Sequence, residues 1–220
     1  MARNTEPVAV IGLGRFGRAL AEELTHLGTE VLAIDPNPVL VQQMAGRLER
    51  VVTADPTDPE ALEELGLDEF HNAVVAIGGE QTPSILATSL LADLGVPNIW
   101  AKAMSKLHAR ILARVGAHHV IFPEAEMGVR VAHLISGRML DYVEIDSGWV
   151  LAKAHPPQYL VGTPLGETGL RASQHVTIVS VRKEGADEFT HADADTVLSY
   201  GDDILIVGRP RDVEAFVSTV

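Results

Sequence analysis

Over the first 122 residues, short apolar runs alternate with amphipathic stretches. The runs 8–12, 31–34, 51–54, 73–77, 98–101 and 119–122 are rich in Val and Ile and are bounded by Gly, Pro or Asp. That pattern predicts six buried strands. Between them, 16–27 carries Phe16, Leu20, Leu24 and Leu27 at helical spacing, and 39–48, 59–65, 84–94 and 105–115 behave alike. Asp58 and Ser105 stand where helix N-caps belong, and Gly28, Gly66, Gly95 and Gly116 follow the helix ends. Regular strand–helix alternation predicts an α/β fold, a Rossmann-like, doubly wound parallel sheet covered on both faces.

The pattern then changes. Residues 124–136 read as one more helix, with Val131, Leu134 and Ile135 on one face. From Leu140 the chain is strand-rich, with runs at 141–146, 150–155, 176–181, 196–198 and 203–208 and a short final helix at 211–217. Pro156-Pro157, Gly162-Thr163-Pro164 and Gly185-Ala186-Asp187 are turn material. We expect two domains, 1–142 with a crossover helix at its end and a smaller α+β domain over 143–220.

Charge narrows the function. The 220 residues carry a formal charge of −13, and both the part up to Tyr142 and the remainder are net negative. Neither part has the clustered Lys and Arg that neutralise nucleic-acid phosphates, so no nucleic-acid partner is expected. The chain has no cysteine, which removes disulfides and thiolate metal sites and fits a cytoplasmic location. It has no apolar run long enough to span a bilayer and no signal peptide at its start.

The strongest chemical signal is Gly12-Leu13-Gly14-Arg15-Phe16-Gly17, directly after a strand and directly before a helix. In such G-x-G-x-x-G loops the first glycine makes the tight turn. The second lets phosphates approach the backbone, and the third lets helix and strand pack closely. The helix N-terminus adds unpaired N–H groups and a positive dipole end. Asp35 ends the second predicted strand eighteen positions after Gly17. There it can accept from a ribose hydroxyl and would repel a 2′-phosphate, which disfavours NADP. Arg15 is the unusual member of the loop. A guanidinium at this place suits a ligand with more phosphate charge than a dinucleotide, such as ATP; the other reading is a solvated surface arginine.

The loop, together with Val74-Val75-Ala76-Ile77-Gly78, Pro97-Asn98-Ile99-Trp100-Ala101-Lys102-Ala103 and Val120-Ile121-Phe122-Pro123-Glu124-Ala125-Glu126-Met127-Gly128, resembles the RCK proteins (regulators of potassium conductance), of the KtrA/TrkA type. The resemblance spans an RCK N-lobe and an RCK C-lobe. It implies a cytoplasmic regulatory ring subunit, peripheral on the inner face of the membrane through a KtrB/TrkH-type potassium channel subunit. It implies an octameric ring of dimers, with ATP activating and ADP inactivating, and NAD(H) bound by some members. By motif it places Gly12, Leu13, Gly14, Arg15, Phe16 and Gly17 on the phosphates and Asp35 on the ribose. Asp55, Ile77, Gly78 and Lys102 would line the pocket.

The resemblance also implies that Glu124 holds an activating cation, Mg, Ca or Na, near the phosphates. A carboxylate is a suitable hard ligand, and the alternative is that Glu124 only favours the start of its helix. Leu165, Leu170, Arg171, His175 and Val176 match the region where some C-lobes bind cyclic di-AMP, or form a plain sheet contact. His118 and His119 are adjacent on a predicted strand and point to opposite faces, so they do not share one metal. No Ser-His-Asp arrangement is visible, and an NAD-dependent oxidoreductase or a soluble NAD(H) sensor is the alternative function.

Overall fold

The computed structural model describes residues 6–135, 139–146 and 148–218. The chain separates into two units, 1–123 and 124–220. In the first, strands β1 (Val8–Ile11), β2 (Val31–Asp35), β3 (Arg50–Thr53), β4 (Asn72–Val75), β5 (Asn98–Lys102) and β6 (His119–Ile121) form one sheet in the order β3-β2-β1-β4-β5-β6. Every neighbouring pair is parallel. The connecting helices are α1 (Arg15–His26), α2 (Pro38–Met44), α3 (Pro59–Glu64), α4 (Gln81–Asp93) and α5 (Lys106–Arg114).

The side chains of β1 show why the sheet is covered twice. Ala9 and Ile11 join Leu32, Ile34, Val75, Ile99 and Ala101 on one face, against Leu62, Ala87, Leu91 and Leu112 of α3, α4 and α5. Val10 points the other way and joins Ala33, Ala21 of α1 and Met44 of α2. Residues on one strand alternate between faces, so each strand feeds both cores and reads as continuously apolar. Each fully buried Leu or Ile stabilises by roughly 1.5–3 kcal/mol relative to exposure.

The strand and helix boundaries follow local chemistry. Asn37, Asp58 and Ser105 cap α2, α3 and α5 by accepting from Val39, Glu60 and His108 N–H. Gly28, Gly66, Gly95 and Gly116 all take positive φ just past helix ends, as expected. The helix expected over 39–48 stops at Met44, because Ala45 leaves the helical region and bonds of 3.0–3.1 Å from Gly46, Arg47 and Leu48 fold a turn back onto Met44. The helix expected from residue 84 begins three residues earlier, since Pro83 is tolerated in a first turn whose N–H groups lack helical partners.

Helix α6 (Pro123–Ile135) starts at the last residue of the first unit and continues as the first element of the second. Strands β7 (Asp141–Asp146), β8 (Trp149–Ala154), β9 (Val176–Arg182), β10 (Thr190–His191) and β11 (Asp203–Gly208) form an antiparallel sheet ordered β10-β9-β11-β8-β7. Short helices α7 (Leu165–Thr168) and α8 (Leu170–Ser173) precede β9, and α9 (Pro210–Ser218) follows β11. Val213 and Phe216 of α9 are fully buried with Val150, Ala152, Ile204 and Ile206. The run 196–198 is not a strand. It makes only single bridges, Leu198 to Val161 and Val197 to Pro164, and Pro164 has no N–H to extend a ladder. Residue 136, expected to end α6, lies outside the described residues. Among the described residues no helix is long and apolar enough to cross a membrane.

Candidate functional site

In an open parallel sheet, the crevice lies beyond the strand C-termini where the strand order reverses. Here that point is between β1 and β4. A cleft of about 460 Å³ opens there, lined by Gly12, Gly14, Asp35, Asp55, Ile77 and Gly78 together with Pro36, Leu40, Pro56, Thr57, Ala76, Gly79, Glu80 and Pro83. Six of the residues expected to bind nucleotide from the sequence therefore share one cavity.

The three glycines do different work. Gly12 has φ +100°, and a Cβ there would stand 3.1 Å from the Ile77 nitrogen and 3.2 Å from the Ala76 carbonyl carbon. At Gly17 a Cβ would overlap the Gly12 carbonyl oxygen, so helix and loop touch backbone to backbone. At Gly14 a Cβ would meet nothing within 4 Å, which leaves the backbone open toward the cleft. Leu13 has its side chain fully buried in the core shared by Val10 and Ala21. Phe16 is half-buried.

The helix starts divide into two groups. While α2, α3 and α5 have side-chain caps, α1 and α4 have none, and neither carries an acid in its first turn. Their cap residues, Gly14 and Glu80, both line the cleft. Two helix N-termini with unsatisfied N–H groups thus converge on one cavity, an arrangement suited to anionic oxygens. The α4 terminus is absent from the sequence expectation; the local signal was Pro83 in a first turn after Gly78-Gly79.

Asp35 is buried at the end of β2. Its Oδ2 accepts from Leu13 N–H at 2.6 Å and its Oδ1 from Asn37 N–H at 2.8 Å. Asp55 is exposed, and its Oδ1 accepts from the N–H and the hydroxyl of Thr57 at 2.9 and 2.7 Å. Those bonds, the backbone one first, hold its carboxyl below the ordinary range. Lys102, at the end of β5, is buried, and its Nζ lies 2.5 Å from where a Gly78 Cβ would be. The ammonium therefore backs the glycine wall of the cleft without lining it.

Arg15 is exposed and outside the cleft lining. It borders a separate groove of about 400 Å³ between α1 and α2, with Arg18 and Arg47. Arg18 donates to Gln43 and Arg47 pairs with Glu22, whereas Arg15 has no such partner among the described residues.

In the second unit, Glu124 is exposed in the first turn of α6. Leu165, Leu170, Arg171 and Val176 line a cleft of about 360 Å³ with Ile178 and Ala192. His175 is outside that lining; it holds φ +57° at the turn into β9. In the first unit, the ring of His119 stacks on Trp100 with centroids 4.1 Å apart, while His118 Nδ1 accepts from Ile99 N–H. Among the described residues no group of three His, Cys, Asp or Glu side chains could hold a metal by itself.

Residues 8–123 match the TrkA-N domain family, and residues 150–219 match the TrkA-C domain family. The Ktr system potassium uptake protein A of Vibrio alginolyticus is 36% identical over 213 residues, 96% of this chain and 96% of that protein. The chain belongs to the KtrA/TrkA family. The Ktr system potassium uptake protein C of Bacillus subtilis strain 168 is 35% identical, again over 96% of each chain. Among solved structures, the GsuK RCK domain shares the fold with a TM-score of 0.66 at 18% identity, covering 99% of this chain and 49% of that one. The KtrA/TrkA relatives are subunits of potassium uptake systems and not enzymes, which sets aside the oxidoreductase that the glycine loop alone suggests.

Proposed function

We propose that this KtrA/TrkA-family chain is the nucleotide-gated regulatory subunit of a potassium uptake system, with ATP activating and ADP inactivating. The observation that carries the reading is the convergence of two uncapped helix starts, the open Gly14 backbone and the buried Asp35 on one cleft. Phosphates take the N–H groups of α1, and the ribose takes Asp35. Arg15, exposed and without a partner among the described residues, is available to the terminal phosphate, in its own subunit or in a neighbour's. Lys102 adds a positive charge behind Gly78. Glu124 supplies one carboxylate to a cation that takes roughly six to eight oxygens as Ca²⁺ does.

Gating follows from differential affinity. A ligand shifts a conformational equilibrium only by the difference in its affinity for the two states. ATP and ADP share the ribose and loop contacts, so the terminal phosphate and its cation must carry the difference. The chain acts on the cytoplasmic side as a ring of dimers, octameric in this reading, docked on a KtrB/TrkH-type pore. NAD(H) fits the same loop and competes for it.

The test is potassium flux through vesicles holding the pore subunit and this chain. Flux that rises with ATP and falls with ADP is expected. Flux indifferent to either nucleotide, with the chain bound to the pore, would overturn the gating reading.

A further inference from the structure

Asp35 does more in this structure than wait for a ribose. Its two carboxylate oxygens already accept one backbone N–H each, Leu13 through Oδ2 at 2.6 Å and Asn37 through Oδ1 at 2.8 Å. Leu13 lies between the first two glycines of the loop, and Asn37 is the N-cap of α2. One buried carboxylate therefore fastens the phosphate loop after β1 to the turn after β2. The loop's other anchors are the buried Leu13 side chain and the close packing of Gly17 on Gly12. Gly12 N–H donates to Ile34 O at 2.8 Å, and Gly14 offers no side chain.

We infer that Asp35 is the positioning residue of the phosphate loop, and that the ribose and phosphate ends of the bound nucleotide are coupled through it. The inference rests on the nucleotide reading above. A carboxylate has roughly four lone-pair sites. Two are used by the backbone and the rest remain for ribose hydroxyls, so ribose binding adds to the brace without replacing it. With the loop fixed, the α1 N–H groups need no reorganisation when phosphate arrives, which is the advantage of a preorganised site. An asparagine cannot substitute. Its amide has one acceptor oxygen for two inward N–H donors, and its NH₂ group would face the second donor.

Affinities for ATP and for 2′,3′-dideoxy-ATP, measured on the full chain and on Asp35→Asn, test this. The dideoxy nucleotide keeps base and phosphates but has no hydroxyl for Asp35. If Asp35 serves only the ribose, the substitution weakens ATP and leaves dideoxy-ATP unchanged. The expected result is a loss of about tenfold or more for dideoxy-ATP, the scale of one hydrogen bond to a charged group, and a larger loss for ATP. An unchanged dideoxy-ATP affinity in the variant overturns the inference alone, as does wild-type protein that binds ATP but not the dideoxy form. Wild-type protein that binds neither nucleotide overturns the function proposed above as well. Should the variant not fold, hydrogen exchange on ligand-free wild-type protein gives the answer. The Leu13 amide is expected to exchange at least about tenfold more slowly than that of Arg15, because a hydrogen-bonded amide exchanges only on opening; equal rates overturn the brace.

Discussion

Two glycine substitutions three residues apart in one loop are expected to separate folding from binding. At Gly17 a Cβ overlaps the Gly12 carbonyl oxygen, stands 3.0 Å from its carbon and meets the Ala76 Cβ at 3.1 Å. The overlapping atoms are backbone, so no side chain can swing away. Overpacking of this kind costs up to about 3 kcal/mol, and alanine in a helix recovers about 1 kcal/mol over glycine. The net loss for Gly17→Ala is about 2 kcal/mol, which lowers Tm by about 4–8 °C in a chain of this size. At Gly14 a Cβ meets nothing within 4 Å and φ is −64°. Gly14→Ala should therefore cost only about 0.5–1 kcal/mol, the difference between glycine and alanine at an N-cap. Its methyl group would occupy the space where phosphates approach, so ATP affinity should fall about tenfold or more. Thermal melts and titration calorimetry on both variants read the two effects. Gly14→Ala that binds ATP like wild type would refute the phosphate assignment, and Gly17→Ala that melts like wild type would refute the close contact of loop and helix.

Other expectations follow from buried charges. Asp203 pairs with Lys153 at 3.0 Å, with Arg182 and with His155 at 3.4 Å. Burial pushes its carboxyl up, but the Lys153 and Arg182 hydrogen bonds and charges outweigh that and the net direction is down. The folded chain then binds the proton later than the unfolded one, so this stability is present above pH 3.8 and is lost as the pH falls below it. Asp203→Asn should cost about 3 kcal/mol, the low end for breaking a buried pair because both cations keep water contact, and should flatten the acid limb of a pH–stability curve; an unchanged curve would contradict the pairing. His108 is fully buried, with Nδ1 accepting from Met104 N–H at 3.3 Å and Nε2 without a partner among the described residues. Burial lowers its pKa, so the unfolded chain takes the proton first and stability falls as pH drops below 6.5. His108→Gln should remove that slope in denaturant titrations between pH 7 and 5; an identical slope would show that other groups cause it.

Much of the first unit was legible because buried parallel strands and their helices leave separate marks. The Val- and Ile-rich runs gave the strands, Asp58 and Ser105 gave helix starts, and the distance from Gly17 to Asp35 matched an acid that ends β2 and lines the cleft. The double engagement of Asp35 was not legible, since it depends on two backbone N–H groups brought together by β1–β2 pairing. The α4 start was missed because Glu80 is not a capping residue type, although Pro83 after Gly78-Gly79 fits a first turn. In the second unit the pattern was weaker. Thr196, Val197 and Leu198 look like a strand, yet their neighbours are a loop with Pro164, and Thr190–His191 takes the sheet edge beside β9 instead. The Asp203 cluster draws on Lys153, His155 and Arg182, which only the antiparallel register of β8, β9 and β11 assembles.

Gating as proposed requires Arg15, which lies outside the cleft lining, to reach the terminal phosphate of a nucleotide bound in its own or a neighbouring subunit. Titration calorimetry of ATP and ADP into wild-type protein and into Arg15→Ala tests it most directly. The substitution is expected to weaken ATP much more than ADP, by about tenfold or more for a lost guanidinium–phosphate contact. Equal losses for the two nucleotides would contradict it.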